Sequence, residues 1–269
     1  MPTTIPTITS TNRPGSPSAG DAYFETDTKD YTIYDGTNWR GYRFDKATGW
    51  TGSSDYSVTY DGIDDYTDFG QLSMFNAASS ITMSFWAKTA TTTQFPSIGI
   101  WTDPTKQFGF VGDTYNFAIV RGPGGTSGNA LTYTHPGTGW HHYFLVYGSS
   151  RGDIYIDGNT TPVATDTTLP ASLDSSGHSN FKAGQYGNNP TYVDGKIDEI
   201  ALWDSALTTT ELAIIHNNGT PGDLSSLNPT HWWTMGDNEN VNNSTVFDQG
   251  STINNGTNLN DADFSNDPH

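Results

Sequence analysis

The chain has no cysteine among its 269 residues, which excludes disulfide staples and thiolate chemistry and leaves core burial to hold the fold. Positive charge is scarce as well. Lys and Arg number 11 against 29 Asp and Glu, for a formal net charge of -18. An extended phosphate-binding surface would work against that field, so nucleic acid is excluded as a partner. No stretch approaches membrane-spanning length, and the N-terminus MPTTIPTITSTNRPGSPSAGD has neither a basic start nor an apolar segment. The expectation is a chain made in a cytoplasm, without membrane insertion or a classical export signal. Lys, Glu and Leu are sparse, which disfavours long helices.

Ser, Thr, Asn, Gly and aromatic residues are abundant instead, the composition of short strands joined by turns. In SITMSFWAKT, Ile81, Met83, Phe85 and Ala87 share one face of a strand, and WHHYFLVYG and GDIYIDG follow with apolar residues on both faces. Strands that are apolar on both sides lie between layers. The series therefore predicts an all-β fold, a two-sheet antiparallel sandwich. One short helix is predicted after Leu207, where Thr208 and Glu211 have capping-box spacing, Leu212 and Ile215 share a face and Gly219 closes the end.

Residues 1 to 20 carry few bulky side chains and read as an arm. After them, AYFET and YTIYDGTNW form a hairpin unit with Asp35-Gly36 as a turn. From Pro14 to Trp39 this unit resembles a short module of bacteriophage tail-fibre and other virion proteins. The resemblance implies attachment to other virion proteins through residues 1-43, homo-oligomerisation on the particle, and a place on the virion surface after synthesis in the host cytoplasm.

Four further stretches, YDGIDDYTDFG, ITMSFWAKT, GWHHYFLVYGSSRGDIYIDG and DGKIDEIALWDSALTTTEL, resemble in order and spacing the laminin-G-like, concanavalin A-like jelly roll. That family implies two curved antiparallel sheets, a role in binding carbohydrate or protein, and often a structural calcium. The strand that usually precedes the first motif is displaced here: similar text, HWWTMGDNENVNNSTVFDQGSTINNGT, lies at 231 to 257. The domains are therefore set at 1-43 for the attachment module, 44-221 for the jelly roll with its capping helix, and 222-269 for a segment that completes the sandwich or pairs with a neighbour.

Calcium takes six to eight oxygens and accepts loop carboxylates and carbonyls. The loop holding Asp61, Asp64 and Asp65 offers such oxygens, and by the resemblance Asp198 would add another. The alternative is structural: Asp61 would fix an Asx turn and Asp198 would accept backbone N–H bonds. Glycoside hydrolysis needs two carboxylates roughly 5 to 10 Å apart on either side of one bond. Adjacent strand residues such as Asp198 and Glu199 face opposite ways, Glu199 lying with Ile197, Ala201 and Trp203. The chain is therefore read as no enzyme. His141 and His142 likewise diverge and are assigned to packing. The glycine-rich VRGPGGTSGNA lacks the Lys-Ser/Thr pair and helix of a phosphate cradle.

Trp101, Tyr115, Tyr133, Tyr186 and Tyr192 are candidates to stack on sugar faces, provided that they cluster. The reading is a bacteriophage virion surface protein, of tail fibre or capsid decoration, whose lectin-like domain adheres to a host surface glycan or protein. A carbohydrate-binding module of a bacterial surface protein is the alternative, and a glycan hydrolase a more distant one.

Overall fold

The computed structural model describes residues 6–25, 30–34, 37, 39–43, 54–93, 96–103, 106–112, 116–122, 130–173, 177–237 and 244–267. Asp35-Gly36, Tyr115 and most of the glycine-rich loop lie outside them. The chain divides into two units, Met1–Thr51 and Gly52–His269.

In the first unit β1 (Thr7–Ile8) runs parallel to β2 (Ala22–Glu25), and β2, β3 (Asp30–Tyr34) and β4 (Trp39–Arg43) follow as an antiparallel meander. This is the predicted hairpin unit, extended by one strand on each side.

The second unit is a sandwich of two antiparallel sheets, the jelly roll expected from the sequence. The first sheet runs β14 (Ala164–Asp166), β13 (Arg151–Ile156), β12 (His141–Gly148), β7 (Ser80–Thr89), β18 (Asp194–Trp203), β5 (Tyr56–Asp61), β22 (Asp263–Asn266), with β19 (His231–Trp233) also paired to β18. The second runs β11 (Ala130–Thr132), β10 (Asn116–Arg121), β9 (Gln107–Gly112), β8 (Ile98–Trp101), β15 (Lys182–Ala183), β6 (Tyr66–Asp68), β21 (Gly256–Leu259), β20 (Thr245–Val246). A small hairpin, β16 (Gln185–Tyr186) with β17 (Asn189–Tyr192), contacts β8 and β9 of the second sheet.

The alternation of residues along each strand builds the core. Ile81, Met83, Phe85 and Ala87 of β7 all point inward, beside Tyr143, Leu145 and Tyr147 of β12, and meet Ile98, Ile100, Phe108, Phe110 and Val120 of the second sheet. Full burial of each such side chain contributes about 1.5–3 kcal/mol. Tyr133, a candidate for stacking on sugars, belongs to this core and is 4% exposed, edge-on to Phe110. It sits one residue past β11, where the inward phase of the strand carries it under the sheet, so it is corrected to a packing residue.

The segment after residue 230 contributes to both sheets of this chain, β22 pairing with β5 and β21 with β6. Asp248 organises it: its carboxylate accepts the amides of Trp232, Gly250 and Asn254 and lies 2.6 Å from Nδ1 of His231.

Helix α1 (Thr209–His216) begins with the predicted capping box, Thr208 and Glu211 exchanging bonds, and buries Leu212 and Ile215. Its end differs from expectation. Asn217, two residues before Gly219, closes the helix in the left-handed conformation, because its short polar side chain tolerates that region.

Candidate functional site

The two carboxylates at the centre of β18 sit where the strand breaks phase. Asp198 pairs with Trp86 and Ala201 with Ser84, so one extra residue is bulged between them, and Glu199 has φ 47°. A bulge shifts every later side chain to the other face. Ile197 is inward before it, and Ile200 and Leu202 are inward after it. The simple alternation that placed Glu199 with Ile197, Ala201 and Trp203 is therefore corrected: an extra residue, invisible to a period of two, intervenes.

Asp198 is fully buried and accepts the Glu199 amide at 2.7 Å. Its other oxygen lies 2.6 Å from Ser54 Oγ, which is also 2.7 Å from an oxygen of Asp237 and 3.0 Å from the Tyr56 carbonyl. A hydroxyl has a single proton, so these contacts are satisfied together only when a carboxyl brings a proton of its own. Burial, then the charges of Glu199 and Asp237, drive Asp198 well above the usual carboxylate range, the bonds from Ser54 and the Glu199 amide opposing. Asp237 is pushed up to about 6, chiefly by burial, against the bonds it accepts from Ser54 and the Asp55 and Tyr56 amides. Glu199 is buried and accepts Trp232 Nε1 at 2.6 Å.

Asp198 falls into a cluster with Glu199 and Asp237, whereas Asp61 and Asp64 cluster with Asp65. The three metal candidates thus do not form one site. In the outer trio Asp61 Oδ1 accepts the Ile63 amide at 2.8 Å, an Asx turn, and Asp65 accepts the amides of Asp61 and Asp261. Burial raises the Asp65 carboxyl, those amides oppose it, and the charges of Asp61 and Asp64 add to it. Asp61 and Asp64 are exposed. Hard anionic oxygens, with solvent at hand for the remaining positions, fit calcium in donor chemistry. The buried trio also brings three carboxylates within reach of one ion, and in the absence of an ion a proton satisfies its shared hydroxyl and raised carboxyls.

Outside the core, the first sheet is roofed. Trp86 and His142 stack with ring centroids 4.3 Å apart beneath α1, whose His216 stacks on Trp86 and brings its Nδ1 to 3.3 Å from that of His142. One of these two nitrogens donates and the other accepts, so the pair is not doubly protonated. Burial lowers the His216 pKa, against the charge of Asp157. His141 turns the other way, to Asp157 at 2.7 Å.

The outer face of the second sheet is the more open. Lys182 lies over the Tyr66 ring at 4.3 Å and donates to Gln185, which reaches the Tyr192 hydroxyl at 3.5 Å, while Asn180 donates to Asp68. Along from them, Gly99 and Gly109 oppose each other, and a Cβ on Gly99 would come within 2.2 Å of the Phe108 carbonyl. Tyr186 fills the space above them, packed with Val111, Ile119 and the half-buried Trp101. Of the aromatic candidates, Trp101, Tyr186 and Tyr192 therefore meet on one face. Tyr186 is 1% exposed, which makes it a support for the surface rather than part of it. The sequence reading missed Lys182, Gln185, Gln107 and Arg121, which carry no motif and reach this face only through strand register.

The family model described as the concanavalin A-like lectin/glucanases superfamily matches residues 61–213, more than half of the chain. No curated protein matches the chain significantly. Among solved structures, a candidate carbohydrate binding protein from Bacteroides ovatus is similar at 15% identity and a TM-score of 0.57, over 93% of this chain and 70% of that one. A heptameric SAP-like pentraxin from Limulus polyphemus is similar over 60% of this chain and 82% of its own, at 15% identity and a TM-score of 0.46. Domains LG4-5 of the mouse laminin alpha1 chain follow at 13% identity, 55% and 40% coverage and a TM-score of 0.43.

Proposed function

The chain belongs to the concanavalin A-like lectin/glucanase superfamily, and on that premise we propose that residues 52–269 bind glycans without cleaving them. The observation that carries this reading is the outer face of the second sheet, where Trp101, Tyr66 and Tyr192 are only partly buried and stand among Lys182, Gln185, Asp68 and Asn180. Partly exposed rings supply the apolar platform for a sugar face, and the polar side chains supply hydrogen bonds to its hydroxyls. A binding role is favoured over hydrolysis because Asp198 and Glu199 are enclosed beneath the surface, Asp198 held by Ser54 and the Glu199 amide and Glu199 Oε2 by Trp232. Calcium would be held by Asp61, Asp64 and Asp65, where it would neutralise a loop and leave the binding face untouched.

The N-terminal unit supports a finer reading, that this domain is displayed on a bacteriophage particle for adhesion to the host or decoration of the surface. The unit is separate in its contacts, and its motif is the one that resembles virion attachment modules. A glycan array probed with the full chain tests the binding, with Trp101→Ala expected to weaken it roughly tenfold while the melting temperature holds. An array without signal would sink the glycan reading. A reconstruction of the source particle that lacks this chain would sink the virion placement alone.

A further inference from the structure

One end of the second sheet gathers positive charge in a chain whose net charge is -18. Six Lys and Arg lie between residues 52 and 269. Lys88 and Lys196 hold Asp267, Arg151 holds Asp153, and Lys182 is bonded to Gln185. Lys106 and Arg121 hold no carboxylate among the described residues, and both line one cleft, beside Gln107, His178 and the ring of Phe75.

Strand register builds this corner. Gln107 is the cross-strand partner of Trp101 on one side and of Arg121 on the other. An aromatic ring, an amide and a guanidinium therefore follow one another across β8, β9 and β10. The turn before β9 is closed by the Lys106 amide on the Asp103 carbonyl at 3.1 Å, and the Gln107 Nε2 donates to that same carbonyl at 3.0 Å.

What remains is unusual for a folded interior. Gln107 is 3% exposed, yet its Oε1 has no hydrogen-bond partner among the described residues, and the buried Nε of Arg121 has none among them either. The Tyr186 hydroxyl, on the same sheet face, is a third such group. Native folds leave few groups in this state. The cleft has room for about one water, so a glycan would engage its polar groups from the mouth, with ring and substituent outside. A water would complete the hydrogen bonds but would leave two neighbouring cations uncompensated; an anion does both. The acceptor Gln107 Oε1 additionally calls for a donor next to that anion.

We propose that this corner recognises the carboxylate of a uronic acid residue in an acidic glycan. Arg121 Nε and Lys106 Nζ bind the carboxylate, Gln107 Oε1 accepts from the neighbouring ring hydroxyl, and Trp101 receives the sugar face. A carboxylate presents two coplanar oxygens to the guanidinium edge, and the sulfated sugars in the test decide between the two anions. The inference rests on the glycan-binding reading above and narrows it to a substrate class.

The test is titration calorimetry of the full chain with a panel of oligouronates in several ring configurations, their neutral counterparts, sulfated oligosaccharides and inorganic sulfate. A uronate is expected to bind at least about tenfold more tightly than its neutral counterpart, the preference falling with added salt, as for hydrogen bonds to charged groups. Arg121→Gln and the partly exposed Lys106→Gln should each erase most of that preference, with the melting temperature checked for both. Equal binding of acidic and neutral sugars, or a preference that survives both substitutions, overturns the proposal, and a preference for the sulfated sugars overturns the carboxylate assignment. Binding of neutral glycans alone overturns the acidic subsite while keeping the glycan-binding function. Absence of any glycan binding overturns both.

Discussion

The two sheets of the sandwich share one core but treat their outer faces differently. Over the first sheet, α1 and the chain after it close upon Trp86, His142 and Glu199, where His142 bonds Ser84 and His216 and Glu199 Oε2 accepts from Trp232. Over the second sheet a two-stranded hairpin covers β8 and β9, and beside it stand half-buried rings, a lysine over Tyr66 and buried polar atoms without a partner among the described residues. A roofed face adds stability, and the open one is the face proposed for recognition. On that reading the same jelly roll assigns the two tasks to opposite sides.

The largest effect should come from the roofed face. Trp86→Ala, which removes a ring 4% exposed and stacked on both His142 and His216, is expected to cost about 3–5 kcal/mol in urea denaturation while glycan binding persists in the folded fraction. Intact stability with lost binding would reverse the roles given to the two faces.

The next effect concerns the buried carboxyls beneath the bulge. Asp237 titrates near 6 in the fold against 3.8 ordinarily, and Asp198 is shifted the same way. The folded chain therefore holds protons that the unfolded chain releases. This contribution to stability is fully present below about pH 4 and is lost as pH rises through about 6, opposite in sign to an ion-paired carboxylate. Asp237→Asn keeps a neutral group in place. Thermal melts should find it unchanged near pH 4 and more stable than the parent by on the order of 2 kcal/mol at pH 8. A variant less stable at both values would mean that the ionised form is the one the fold requires.

The smallest effect belongs to the outer trio. Millimolar calcium should raise the melting temperature by about 5 °C, reversibly with chelator, and Asp64→Asn should abolish the rise. No shift in either chain would leave Asp61 as an Asx-turn residue and Asp65 as an amide acceptor.

Much of the fold was legible beforehand because it is written in local periods. The inward set Ile81, Met83, Phe85 and Ala87 and the capping box at Thr208 and Glu211 each depend on residues a few positions apart. The candidate site was legible only in part. Trp101 and Tyr192 could be named as loop aromatics, but Tyr133 carried the same signal and packs inside. A ring's fate depends on the phase of its strand and on what crosses above it.

The sequence alone determined an acidic, cysteine-free, two-layered β chain with the ordered motifs of its superfamily, since composition and alternation act along the chain. Tertiary structure decided the rest. One bulged residue at Glu199 inverted the tail of β18, and Ser54, Asp198 and Asp237 became one hydrogen-bonded group from distant parts of the chain. Register brought Trp101, Gln107 and Arg121 into a row across three strands. Contacts of that kind are set by how strands slide and stack, which no local pattern encodes.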